Sequence, residues 1–436
     1  MAQPHEDDLP VQPIDRLLGP LERFMHVEAA SGIVLLVCTA VALGLANSPL
    51  GPGFEAFWET PISLGAGSFR MEYPLRTWIN DALMAVFFFV VGLEVKREMV
   101  IGELRELRRA ALPVFAALGG MLGPALVYLA FQWGEPAERG WGIPMATDIA
   151  FVVGCMAVLS RRVPPGLRIL LLSLAIADDI GAILVITVGY TEKIHLTALG
   201  LAAAGLGFVV LLGRLGVRNR GVYTLVGALV WLAVHESGVH ATVAGVALGL
   251  LTPARSYLRD GLAPRILARA AATLRGEGWG TGERPADLAR RLAHVARESS
   301  SPLEYLERVI HPWVGFAIMP IFALANAGVA FSLGELRDPV AMAVGAGLVL
   351  GKPLGILGAS WVSVRLGVAQ LPEGVSWRML AGGGLLAGIG FTMALFISSL
   401  ALPGAEGDAA KVGILAGSAL AALLGMAVLW RGRPSP

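Results

Sequence analysis

The chain has 436 residues, of which 55% are hydrophobic and only 15% charged, and its mean hydropathy is +0.67. Soluble globular chains carry about 25% charged residues, so these figures exclude a soluble domain, and also disorder, a coiled coil and a collagen-like fibre. A formal charge of +1 gives no basis for a nucleic-acid partner, and two cysteines in apolar runs, Cys38 and Cys155, support neither a disulfide framework nor a zinc site.

In chain order, twelve segments are apolar enough for membrane helices, which need about 20 residues each. They are 29–46, 77–97, 110–131, 141–160, 167–189, 196–213, 221–235, 238–252, 312–332, 339–364, 379–402 and 411–430. The acidic, polar stretch before the first has no basic n-region and does not read as a cleaved signal peptide. Residues 54–76 alternate around Gly65 and Gly67 and predict a hairpin on the outer face. The short seventh and eighth segments meet at a tight corner, His235-Glu236-Ser237-Gly238. Residues 255–300 are rich in Arg and Ala, and Leu288, Leu292 and Val295 can share one face there; this loop is expected to lie on anionic lipid headgroups. Trp58, Trp78, Trp133, Trp141, Trp313, Trp361 and Trp377 fall near segment ends, as an aromatic belt requires.

Lys and Arg set the orientation. With the N-terminus inside, that side holds 27 of the 34 basic residues and the outside 6. Without the long 253–310 loop the ratio is still 17 to 6, so both termini are expected to be cytoplasmic. The chain then reads as a cytoplasmic N-terminal segment (1–28), eight spans with the external hairpin (29–252), an Arg-rich cytoplasmic loop (253–310), four spans (311–430) and a cytoplasmic tail (431–436).

Ionisable residues inside spans are costly, and each is a functional candidate by default. They are Asp81, Glu94, Asp148, Asp178, Asp179 and Lys352. Glu94 is as compatible with an interfacial anchor beside Lys96 and Arg97 as with function. Asp81 fits a helix-packing hydrogen bond as well as a transport role. Asp178-Asp179 is the only charge in Leu170 to Val188. Adjacent helical residues point about 100° apart, so one can face a wet cavity while the other meets a partner. Lys352 is the only buried cation available to that pair.

Two spans carry breaks. Gly140-Trp-Gly-Ile-Pro144-Met-Ala-Thr-Asp148 predicts an interruption just before Thr147. A new half-helix is expected there, with Thr147 or Asp148 as N-cap and the carboxylate against its positive end. Gly382-Gly-Gly in the eleventh span, followed by Gly388-Ile389-Gly390, permits an unwound crossing. The interrupted spans are the fourth and eleventh, each the middle of a triplet (3–5 and 10–12) and of opposite direction. Paired breaks in inverted halves point to a secondary transporter whose site lies where they cross.

These residues resemble the NhaA-type sodium/proton antiporters. The resemblance is carried by Asn80-Asp81 with Gly92-Leu-Glu94-Val-Lys-Arg-Glu98, Ala146-Thr147-Asp148-Ile-Ala-Phe, Leu174-Ala-Ile-Ala-Asp178-Asp179-Ile-Gly, Ser237-Gly-Val-His240, Leu324-Ala-Asn326-Ala-Gly, Gly351-Lys352-Pro-Leu-Gly and Gly388-Ile-Gly-Phe-Thr-Met. It covers about residues 20 to 430 and keeps the family's order. It implies an all-α protein of about 12 membrane helices with inverted repeats and two discontinuous crossing helices, in the bacterial inner membrane. The implied activity is electrogenic, pH-regulated exchange of cytoplasmic sodium, and lithium, for external protons, with no cofactor and no enzymatic reaction. Asp178, Asp179 and Lys352 become the ion and proton carriers, with sodium at Asp179, Asp178 and Thr147. Asp148, Thr147, Gly388 and Gly390 become the crossing residues. Glu94, Glu98, His240, Glu307 and His311 resemble residues tied to pH response. The hairpin is similar to one through which the family forms homodimers. The 253–310 loop departs from the family in being longer and richer in Arg.

In this reading one cavity carboxylate binds a sodium ion or a proton, never both, which is sufficient for antiport. A proton-coupled carrier of an organic solute would need polar and aromatic groups that this aliphatic site lacks. A prenyltransferase would need another carboxylate about one turn from the doublet, and residues 180–188 have none. An intramembrane aspartyl protease would want its aspartates on separate helices in a Gly-x-Gly-Asp setting, and Gly390 is followed by Phe391.

Overall fold

A computed structural model describes residues 28–66, 69–160, 162–191, 194–217, 219–254, 301–330 and 334–431. The expectations for residues 1–27, for the hairpin apex at Gly67 and for the amphipathic face in 255–300 lie outside them.

Each of the twelve predicted segments contains a helix. They are α1 (Glu28–Ala46), followed by a short α2 (Gly51–Trp58), then α3 (Leu75–Val100), α4 (Leu107–Gln132), a 3-10 run (Pro136–Met145) leading to α5 (Ile149–Val158), and α6 (Pro165–Gly189). There follow α7 (Leu196–Arg214), α8 (Arg220–Glu236), α9 (Thr242–Leu251), α10 (Pro302–Asn326), α11 (Pro339–Arg365), α12 (Trp377–Ala387), α13 (Phe391–Ala401) and α14 (Gly404–Trp430). Among the described residues seven helices are long and apolar enough to cross a membrane, or up to ten spans if each of three bent pairs counts once.

The hairpin is shorter than the expected 54–76. β1 (Pro61–Ala66) pairs antiparallel with β2 (Phe69–Pro74), placing Ile62 opposite Tyr73 and Leu64 opposite Met71. Residues 54–58 are helical instead. Pro52 fixes a helical φ in the first turn of α2, and Phe54 and Phe57 meet Trp58 edge to face. Trp58 is therefore buried, unlike Trp133 and Trp313, which stay exposed as a belt requires.

α10 starts at Pro302, well ahead of the expected 312. A capping box explains this: the Ser301 hydroxyl accepts from Glu304 N, and the Glu304 carboxylate accepts from Ser301 N, each at 3.2 Å. Three long helices contain π-turns, at Ile79–Leu83, Val314–Ile318 and Gly347–Gly351. The last two each lie just before a proline, Pro320 and Pro353. A proline cannot donate to the carbonyl four residues back, and a widened turn accommodates its ring.

The chain divides into two compact units. The first comprises residues 1–84, 106–192 and 312–436. In it, α4 and α11, the opening helices of the two triplets, run backbone against backbone. Gly119 and Gly123 of α4 face Gly351 and Gly355 of α11, and a Cβ at Gly355 would collide with the Gly119 carbonyl. Small residues permit this approach where no hydrophobic effect drives helices together. Gly355→Leu should therefore destabilise by about 1–3 kcal/mol or more, read as a lower unfolding temperature in detergent. Gly358→Leu on the same helix, where a Cβ meets nothing within 4 Å, should leave that temperature unchanged. Equal effects of the two would exclude the glycine seam as the cause.

The second unit comprises residues 85–105 and 193–311. There α9 packs on α3 through Gly245 and Gly249 against the carbonyls of Ala85 and Phe89. Ala202, Val230, Val234 and Ala244 form a small core between α7, α8 and α9.

Candidate functional site

The first broken span does interrupt where expected. Glycines at 140 and 142 and prolines at 136 and 144 give a 3-10 run rather than an α-helix, ending at Met145. Residues 146–148 are extended, and α5 begins after them at a bend of 43°. Asp148 is its N-cap, with Oδ1 accepting from Phe151 N at 3.4 Å. The second broken span unwinds at Gly388-Ile389-Gly390, with a bend of 48° between α12 and α13.

The two breaks are hydrogen-bonded to one another. Asp148 N donates to the Ile389 carbonyl at 2.7 Å, and the Thr147 hydroxyl donates to the Ala387 carbonyl at 2.9 Å. Asp148 Oδ2 accepts both Thr392 N, at 3.1 Å, and the Thr392 hydroxyl. One buried carboxylate thus sits on the amide ends of two half-helices, α5 and α13, where the helix dipoles favour a negative charge. Gly390, the N-cap of α13, has no side chain to offer. The Ser418 hydroxyl of α14 takes the Phe391 N–H instead, at 3.2 Å. Gly388 and Gly390 are obligatory for close approach: a Cβ at Gly388 would enter the Leu348 carbonyl, and one at Gly390 would stand 3.1 Å from the Ala146 carbonyl.

Beside the crossing, α6 presents Asp178 and Asp179, respectively 1% and 2% exposed. Lys352, 0% exposed, follows directly on the π-turn of α11. Its ammonium donates to Asp178 Oδ2 at 2.6 Å and to the Met145 carbonyl at the end of the 3-10 run. It also lies within electrostatic range of Asp179. Thr147 adjoins Asp178. Asp178 Oδ1 meets no donor at full hydrogen-bond geometry among the described residues, with Thr147 its nearest polar neighbour. The crossing therefore brings anionic oxygens, a hydroxyl and backbone carbonyls near one buried ammonium, which itself bonds Asp178 and the Met145 carbonyl. Such a set can hold a small hard cation or a proton.

The other candidates stand elsewhere. Asp81 lies in the π-turn of α3, next to Asn80, whose side chain exchanges hydrogen bonds with that of Asn326 at 2.8 and 3.2 Å. Glu94, Glu98, His240, Glu307 and His311 all belong to the second unit. Arg97 is ion-paired with Glu307, and His311 Nε2 lies 3.7 Å from Glu94 Oε1. Glu98 folds over Gly102, and His240 stands half-buried in the corner between α8 and α9.

Sequence reasoning did not single out Thr392, Ser418, Met145 or the Asn80–Asn326 pair. Thr392 had a signal: a hydroxyl residue at the start of a half-helix just after a glycine. Ser418 and the Met145 carbonyl had none, since contacts across the fold leave no local pattern.

Comparison with known proteins shows the family. Residues 22–429 match the family described as Na+/H+ antiporter 1. The chain is similar to Na(+)/H(+) antiporter NhaA of Rhodopirellula baltica, with 54% identity over 98% of this chain and 97% of the relative. It is also similar to Na(+)/H(+) antiporter NhaA 2 of Acidiphilium cryptum, with 51% identity over 98% and 95%. With NhaA 2 of Vibrio vulnificus it shares 46% identity over 97% and 94%. With its two crossed half-helix pairs and whole-chain similarity to these relatives, the chain belongs to the Na+/H+ antiporter 1 family.

Proposed function

We propose that this membrane protein exchanges sodium for protons at the helix crossing, with Asp179, Asp178 and Lys352 as the carriers. The observation that supports this best is the buried Asp178–Lys352 pair set against two interrupted helices. Low dielectric disfavours bare charge, so a carboxylate here binds a proton or a cation in turn. Sodium takes oxygens from Asp179, Asp178 and Thr147, and unwound carbonyls complete its shell. Lys352 neutralises Asp178 when sodium is absent and is displaced when it enters. Asp148, Gly388 and Gly390 keep the half-helices crossed around the ion. Lithium, a smaller hard cation, fits the same ligands.

The Glu94–His311 contact and the Arg97–Glu307 ion pair, with Glu98 and His240, gather charged groups in the second unit and make up the pH-responsive region. The protein resides in a bacterial inner membrane with both termini cytoplasmic, by the excess of Lys and Arg on that side. Anionic lipid headgroups are the partner that the Arg content of the 253–310 sequence favours. The β1–β2 hairpin serves a homodimer.

Two titratable carboxyls and an ammonium surround a single cation-sized set of ligands, so more protons than sodium ions cross per cycle. The exchange is then electrogenic, and each net charge moved couples to about 2.3 kcal/mol per 100 mV. Proteoliposomes holding a pH-sensitive dye and clamped with potassium and valinomycin test this. A sodium gradient should drive proton flux, and a negative interior should accelerate sodium exit. Flux indifferent to voltage would make the exchange electroneutral and leave the Asp178–Lys352 pair a structural one.

A further inference from the structure

α6 carries the aspartate doublet and is followed at once by Tyr190, which is buried. The Tyr190 hydroxyl is lodged in the backbone of the 3-10 run: it donates to the Arg139 carbonyl at 2.9 Å and accepts from Gly142 N at 3.3 Å. Three residues beyond Gly142, the Met145 carbonyl accepts the Lys352 ammonium, which also binds Asp178 on α6. The contacts close a ring from Asp178 through Lys352, Met145 and Tyr190 back to α6. Tyr128 of α4 steadies the start of the same run by donating to the Ala137 carbonyl at 2.7 Å. Glycine makes room for the wedge: a Cβ at Gly142 would stand 2.6 Å from the Tyr190 hydroxyl. Runs of 3-10 helix beyond three or four residues are uncommon because their hydrogen bonds are poorly aligned. This one has ten residues and ends on a carbonyl of the ion site, so its geometry needs support from outside.

We propose that Tyr190 is a positioning residue of the exchange: its hydroxyl fixes the 3-10 run, and so sets how Lys352 is shared between the Met145 carbonyl and Asp178. The proposal rests on the reading that Lys352 competes with sodium for Asp178. Without the brace the carbonyl drifts, the ammonium turns wholly to Asp178, and sodium meets a stronger competitor.

Proton flux in proteoliposomes, measured against sodium concentration, tests it. Tyr190→Phe, which removes the hydroxyl and both of its hydrogen bonds, should raise the apparent KM for sodium by at least about fivefold, the effect of losing one hydrogen bond. The kcat should stay within about twofold. Gly142→Ala, which pushes the hydroxyl away from the other side, should raise KM in the same way. Tyr223→Phe removes a hydroxyl that donates to the Val217 carbonyl in the second unit, and should keep the wild-type KM. Lys352→Ala is measured alongside. If it alters KM while Tyr190→Phe and Gly142→Ala do not, Tyr190 has no positioning role. A Tyr190→Phe variant that loses kcat or stability at unchanged KM is likewise only structural, and overturns the proposal. If Lys352→Ala itself keeps wild-type KM and kcat, the competition reading fails and the proposal falls with it.

Discussion

Asp179→Asn is expected to reduce sodium-driven proton release from proteoliposomes to the level of protein-free vesicles. The amide keeps the shape of the side chain but can neither titrate nor supply an anionic oxygen. Loss of one charge-assisted ligand costs about 1.5–3 kcal/mol, which weakens sodium binding roughly tenfold or hundredfold. Loss of titration removes the proton half of the cycle at any sodium concentration, so saturating sodium should not restore flux. Asp179 is 2% exposed in a helix whose membrane stretch holds no charge besides the doublet, so no neighbouring carboxylate on α6 other than Asp178 can replace it. Flux near the wild-type level in this variant would place the ion site elsewhere.

Lys352→Ala should lower stability as well as flux. Both partners of the pair are buried, 2.6 Å apart, and truncating the lysine strands the Asp178 carboxylate and the Met145 carbonyl. Breaking a buried pair from one side costs about 3–5 kcal/mol, whereas replacing both members by apolar groups is often neutral or stabilising. The double variant Lys352→Met with Asp178→Leu should therefore regain most of the unfolding temperature lost by Lys352→Ala, while remaining inactive. The measurement is thermal unfolding in detergent beside proton flux in liposomes. An unchanged unfolding temperature in Lys352→Ala would mean that Asp178 finds another partner at no cost. Additive losses in the double variant would mean that the two residues are not coupled.

The spans were legible because hydrocarbon demands long apolar runs, and the breaks because glycine and proline interrupt them in the same place that a carboxylate appears. The Asp148 cap and the opposed glycines at 388 and 390 follow from that local chemistry. The start of α10 was missed because the apolar run begins at Pro312, while the helix is set by the polar Ser301–Glu304 box ahead of it. The expected hairpin extends too far toward the N-terminus because alternation continues through Phe54 to Trp58, where aromatic packing and Pro52 favour a helix. That Lys352 serves the aspartate doublet follows from scarcity, as the only cation within a span; that it meets Asp178 rather than Asp179 is implied by the family resemblance. The second bond of Lys352, to the Met145 carbonyl, was not legible, because a backbone acceptor has no signature in sequence.

The crossing also dictates an order of assembly. α5 and α13 have 10 and 11 residues, about 15 Å each, half the thickness of the hydrocarbon core. Neither can span alone, and each break supplies hydrogen-bond partners to the other: the Ile389 carbonyl to Asp148 N, and Asp148 Oδ2 to Thr392 N. Asp148 and its partner Thr392 are separated by 244 positions. At synthesis rates of about 5–20 residues per second, Thr392 emerges roughly 10 to 50 s after Asp148. During that interval the first repeat has Asp148 Oδ1 on its own Phe151 N but lacks the Thr392 donors to Oδ2. The nascent first half therefore waits for its partner break before the Asp148 carboxylate has all of its donors. However alike the two repeats are in design, neither one can mature as an independent module.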